Sequence, residues 1–185
     1  AALAGTQDVF VFYVAGHGIT QDGRYHLIPH DFRYRNEQSV KEQGISQDHI
    51  QSWLASVPAR KSLVLLDTCD SGSFTRAKGL ERGIAEKTAI NRLVRATGRA
   101  IIVAAKDTQP AMEGYKGHGV FTYALLQSFK RADTEFGNRD GQVSIFEIAG
   151  FVDKHVPEIT YQQFGYEQVP QVNMKGRDFP VGLAK

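Results

Sequence analysis

The 185-residue chain carries 22 Lys and Arg against 20 Asp and Glu, a formal net charge of +2, and 42% hydrophobic residues. That length can bury the core of one domain, and so small a charge makes no electrostatic case for nucleic acid or an anionic membrane surface as partner. No apolar run approaches the roughly 18 residues of a membrane span, and the first residues lack the charged-then-apolar pattern of a signal peptide. A single cysteine, Cys69, rules out an internal disulfide and a thiolate zinc cluster. A reducing, cytoplasmic setting is the expectation.

In chain order, three short segments are apolar on both faces and rich in β-branched or aromatic residues, the pattern of buried parallel strands. They are Asp8–Ala15, Ser62–Asp67 and Ala100–Ala105. Between the first two, Ile50, Trp53, Leu54 and Val57 fall at helical spacing within Ser46–Val57, before Pro58. Ala85–Ala96 has a weaker helical pattern ended by Gly98. Val120–Lys130 reads as a helix with Phe121, Leu125, Leu126 and Phe129 on one side. A polar turn over Asp133–Gly141 leads to a helix from Ile145 to His155, closed before Pro157. Gln168–Met174 reads as a last strand, which Pro170 confines to an edge or delays past itself, because proline lacks a ladder donor. This alternation implies a three-layer α/β/α sandwich around a mostly parallel sheet.

Ligands of open α/β sheets bind beyond the carboxyl ends of the strands. Here the first strand runs into Gly16-His17-Gly18 and the second into Thr68-Cys69-Asp70-Ser71-Gly72, so neighbouring strands would present both reactive side chains at one rim. A thiol attacks carbonyl carbon as thiolate, and a nearby imidazole serves as base and then as acid to the leaving amine. Without a Cβ at Gly18, its N–H could approach a substrate oxygen and, with the N–H of Cys69, form an oxyanion hole.

Tyr13–Gly18 (YVAGHG) and Leu65–Ser73 (LLDTCDSGS), with His17 and Cys69 spaced 52 residues apart, resemble the caspase and metacaspase superfamily of cysteine peptidases. Asp-Thr-Cys, in place of the Gln-Ala that precedes the cysteine of true caspases, resembles the metacaspase, bacterial caspase-like (orthocaspase) and legumain side of the clan. Arg24–Asp31, Lys106–Met112, His118–Leu126 and Gln168–Gln171 extend the likeness over most of the chain. The resemblance implies an endopeptidase with a His17–Cys69 dyad, acting on protein or peptide substrates without a cofactor. The competing expectation is a catalytically silent scaffold of the same fold. No G-x-G-x-x-G, P-loop or G-x-S-x-G stretch supports a nucleotide-binding or serine-hydrolase alternative.

In metacaspase-like proteins the acid two residues before the cysteine lines the first specificity pocket and selects Arg or Lys; here that residue is Asp67. A carboxylate there would hold a guanidinium by a charge-assisted bond, or would merely satisfy backbone donors at the strand end. Many metacaspases bind calcium through aspartates. Asp31 and Asp48 match two such positions, but Gln47 and Arg76 stand where the pattern has aspartates, so no metal requirement is expected. Asn138–Glu147 resembles part of an EF-hand loop, with Phe136 in the first ligand position, and Ser144 with Glu147 fits a helix capping box better. His26, His30, His49 and His155 show no metal-ligand spacing, and His118 precedes a helix.

The resemblance also divides the chain into a large-subunit-like part (1–75), an exposed basic linker (76–99) and a small-subunit-like part (100–185). The linker reads either as a solvated loop and helix face or as a self-processing site. Two strands that normally precede the histidine strand are not in this sequence. The expectation is a fragment whose open sheet edge is covered by N-terminal strands from the same precursor or a companion chain.

Overall fold

In the computed structural model, residues 4–70, 100–105, 109–174 and 176–185 are described, with only the backbone of Cys69 and Asp70. The helix expected over Ala85–Ala96 and the basic linker lie outside the described residues.

The elements are β1 (Val9–Gln21), β2 (Arg24–Ile28), α1 (Gln38–Gln43), β3 (Ile45–Ser46), α2 (Gln47–Ala55), β4 (Lys61–Asp70), β5 (Ala100–Val103), α3 (Val120–Glu135), β6 (Gln142–Ser144), α4 (Ile145–Phe164), β7 (Gln171–Asn173) and β8 (Pro180–Leu183). The main sheet runs β3-β2-β1-β4-β5-β7. Its centre, β1-β4-β5, is parallel, and β2, β3 and β7 join antiparallel at the two sides. The three apolar runs thus form the middle of a mixed sheet, and β7 begins directly after Pro170 at the edge.

Alternation along the strands sorts two cores onto the two faces. Val64, Leu66, Ile101 and Val103 pack with Ile50 and Leu54 of α2, joined by Phe10, Phe12 and Val14. Leu63, Leu65, Ala100 and Ile102 pack on the opposite face with Phe121, Leu125, Ile148, Phe151 and Val152 of α3 and α4. The result is the expected caspase-like three-layer α/β fold.

Helix faces differ in detail from the sequence reading. Trp53 is 51% exposed and Leu126 46% exposed. The buried side of α3 is instead Val120, Phe121, Ala124, Leu125, Ser128 and Ala132, a stripe that small residues let approach the sheet closely. The last helix does not stop before Pro157. It continues to Phe164 and closes at Gly165 in the left-handed conformation. Proline removes one helical donor, but Val156 before it and Thr160 beyond it are fully buried, and that packing outweighs the lost bond. At the other end of this helix, Ser144 and Glu147 form the reciprocal capping box the sequence implies.

A hairpin went unread in the sequence. Asp22 and Gly23, at φ 50° and 70°, turn β1 back into β2, with Gln21 opposite Arg24. An Asp-Gly pair with both residues at positive φ is the two-residue turn that suits a hairpin's twist. β1 therefore runs four residues beyond His17. It pairs with β2 only from His17 to Gln21, and among the described residues no strand lies beside Val9–Gly16 on that side. On that open half, Val9, Val11 and Tyr13 are all exposed.

Candidate active site

Parallel pairing of β1 with β4 makes His17 the Cα partner of Cys69, Ala15 that of Asp67 and Gly18 that of Asp70. Two residues far apart in sequence are thus held side by side by ladder register alone. His17 is exposed and lies where β1 acquires its second neighbour, being also the partner of Ile28 in β2. The sequence reading put His17 beyond the end of a strand; instead it sits inside a longer one, at the level where β4 ends.

Gly18 is buried, and the structure supplies a steric reason for glycine there. A Cβ would lie 2.5 Å from the Tyr25 ring and 2.7 Å from its hydroxyl. That hydroxyl donates to Thr68 Oγ1 at 3.0 Å, bracing β4 one residue before Cys69. Gly18→Ala is expected to destabilise the protein by about 1–3 kcal/mol through overpacking, read as a lowered melting temperature.

Beside this pair lies a cleft of about 420 Å³ lined by Tyr13, Gly16, Asp67, Glu113, His118 and Thr122 among others. Gly16 immediately precedes His17 and Asp67 lies two residues before Cys69, so the cleft adjoins the pair. It contains two carboxylates and no Lys or Arg among its described lining. Asp67 is half-buried and faces the first turn of α3, where the Thr122 hydroxyl donates to Asp67 Oδ2. Burial pushes the Asp67 carboxyl above the ordinary carboxylate value. The Thr122 hydroxyl and backbone N–H oppose that rise, while the charge of Glu113 adds to it. A carboxyl that binds its proton more tightly folded than unfolded loses stability as pH rises through its folded value. That cost is absent below the unfolded value.

Glu113 was not singled out from the sequence. It sits in Met112–Gly117, a glycine-containing loop with no periodicity to place it, and only the return of this loop over β4 brings it near Asp67. His118 is not the N-cap of α3: that position is Gly119, which has no side chain to cap with. His118 instead lines the cleft. The remaining expected positions stay apart from it. Asp48, which matches a calcium-ligand position of the metacaspase pattern, pairs with Arg24. Asp31 is exposed. Arg76 is outside the described residues, and among those described no group of three His, Cys, Asp or Glu could hold a metal ion. In the loop that resembles an EF-hand, Asp133 accepts from the N–H groups of Asp140 and Gly141, which closes the turn internally. His155 lies between Glu135 and Glu158.

A profile of the caspase domain (peptidase C14) matches residues 1–179. The chain belongs to the caspase-domain family. Its members are cysteine peptidases, so this caspase-domain chain is a caspase-like protease acting on protein substrates. No curated protein matches it. Among solved structures, protein GSU0716 from Geobacter sulfurreducens is 15% identical at a TM-score of 0.49, covering 100% of this chain and 70% of that one. So loose a likeness has no bearing on what the caspase-domain chain cleaves. No described helix is long and apolar enough to cross a membrane.

Proposed function

We propose that this protein is a cysteine endopeptidase of metacaspase or orthocaspase type that cleaves after Arg or Lys. The observation that carries the reading is the acidic cleft, with Asp67 and Glu113, beside the His17–Cys69 register pair. In the reaction, His17 takes the thiol proton and the Cys69 sulfur attacks the scissile carbonyl carbon. The amide N–H groups of Gly18 and Cys69 stabilise the oxyanion, and His17 returns the proton to the leaving amine. Water then hydrolyses the thioester with His17 again as base. Asp67, with Glu113 across the cleft, holds the basic side chain before the cut by charge-assisted hydrogen bonds.

The Thr122 contact also favours a second reading of Asp67, as a cap for the first turn of α3. Asp67→Asn separates the two, because asparagine keeps an acceptor for Thr122 and loses the charge. The expected result is a fall of about ten- to a hundredfold in kcat/KM for fluorogenic peptides ending in Arg or Lys, at unchanged melting temperature. Unchanged kcat/KM and selectivity, with the melting temperature kept, would leave only the cap. Cleavage after Asp by the native protein would overturn the basic-pocket reading, and cleavage of none of the peptides would favour the silent scaffold. A chelator is expected to have no effect.

Two further assignments complete the proposal. Residues 76–99 are a linker between large- and small-subunit-like parts (1–75 and 100–185), and its seven Lys and Arg residues, from Arg76 to Arg99, make it a self-processing site for an enzyme of this preference. Strands from the same precursor or a companion chain cover the open edge of Val9–Gly16, a role supported by the exposed apolar side chains along it.

A further inference from the structure

Asp67 Oδ2 meets the fold through a chain of hydroxyls. The Thr122 hydroxyl has one proton, which it donates to Asp67 Oδ2. Its oxygen therefore accepts from the Tyr13 hydroxyl, 2.7 Å away, which joins β1 to α3 across the cleft. The N-cap of α3 favours this docking. Gly119 offers no capping side chain, and a Cβ there would sit 2.9 Å from Asp67 Oδ2. A side chain at position 119 would push the carboxylate away, whereas glycine lets it reach the helix start.

We propose that Thr122, itself held by Tyr13, is a positioning residue that aims Asp67 at a basic side chain in the cleft. The proposal rests on Asp67 being the acceptor for that side chain. With Oδ2 engaged by Thr122, the guest meets the carboxylate at Oδ1. The same hydroxyl keeps Asp67 charged in surroundings that favour its neutral form, since burial and the like charge of Glu113 both oppose ionisation. The titratable groups facing Asp67 are Glu113 and His118 from the loop before α3 and Tyr13 from β1. Thr122 is the neutral donor among them.

The test measures binding of two matched peptides, one ending in Arg and one in its uncharged isostere citrulline, to the intact protein carrying Cys69→Ala. The Cys69→Ala change removes the titration of the nucleophile from the readout, and calorimetry follows binding across the acidic and neutral pH range. Thr122→Val, which conserves shape, is expected to weaken Arg-peptide binding about tenfold near neutrality. It should also move the acidic loss of that binding to higher pH, and leave citrulline binding unchanged. Thr122→Ser should restore the native profile, and Tyr13→Phe should give a smaller shift in the same direction. Arg preference with an unmoved pH profile in Thr122→Val overturns the proposal, as does failure of serine to restore it. If Thr122→Val does not fold, an unmoved profile in Tyr13→Phe does the same. Equal binding of the two peptides before any change at Thr122 would instead sink the basic-pocket reading itself.

Discussion

Cys69→Ala is expected to abolish peptide hydrolysis, and His17→Ala to lower kcat by about a thousandfold or more, with the melting temperature of the histidine variant close to that of the native protein. The size of the effect follows from splitting the work between two groups. Loss of the sulfur removes the atom that would be acylated, and loss of the imidazole removes both the base for the thiol and the acid for the leaving amine. Residues that act as a unit are non-additive, so the double variant should be no slower than Cys69→Ala alone. The fold should tolerate His17→Ala because His17 is exposed and its position comes from the β1–β4 ladder, not from side-chain packing. Steady-state hydrolysis alongside thermal melts checks both halves. Residual cleavage by Cys69→Ala at the native rate would remove Cys69 from the chemistry.

The largest stability effect is expected at Phe121. Its side chain is fully buried where α3 meets β4 and β5, among Leu63, Leu65 and Ile102. Phe121→Ala removes a ring from a close-packed interior and leaves a cavity, at a cost of about 3–5 kcal/mol. For a chain of this size that lowers the melting temperature by roughly 6–20 °C. Leu126→Ala on the same helix is the control, since an exposed substitution should stay within about 0.5 kcal/mol. Equal losses at the two positions would mean that the observed face of α3 is wrong.

Much of this architecture was legible because the parallel strands are buried on both sides. SLVLLD and AIIVAA have few polar residues to confuse their period, and both lie at the sheet centre. The register pair was legible for a related reason: strand ends in an α/β sheet collect ligands, and a histidine and the single cysteine follow two of the apolar runs, which the β1–β4 ladder sets side by side. What stayed hidden depends on contacts between distant segments. Pro157 looks like a helix stop until Val156 and Thr160 are seen buried on either side of it. Glu113 and Thr122 join Asp67 only after the chain crosses back over β4. The β1–β2 hairpin was different, since Asp22-Gly23 announces it locally and the strand that follows was taken only as part of a family likeness.

β1 has two halves with different restraint. From Val9 to Gly16 it is held by β4 alone among the described strands, whereas at His17 and Gly18 it is held by β2 and β4 together. Opening free energy follows the number of ladders that must be broken, so the first half is the slack end and the histidine sits at the start of the clamped end. Fraying from the N-terminal side therefore runs out before it reaches His17, and the alignment of histidine with cysteine is anchored from the hairpin. Whatever strand occupies the open half adds strength to β1 without setting that alignment.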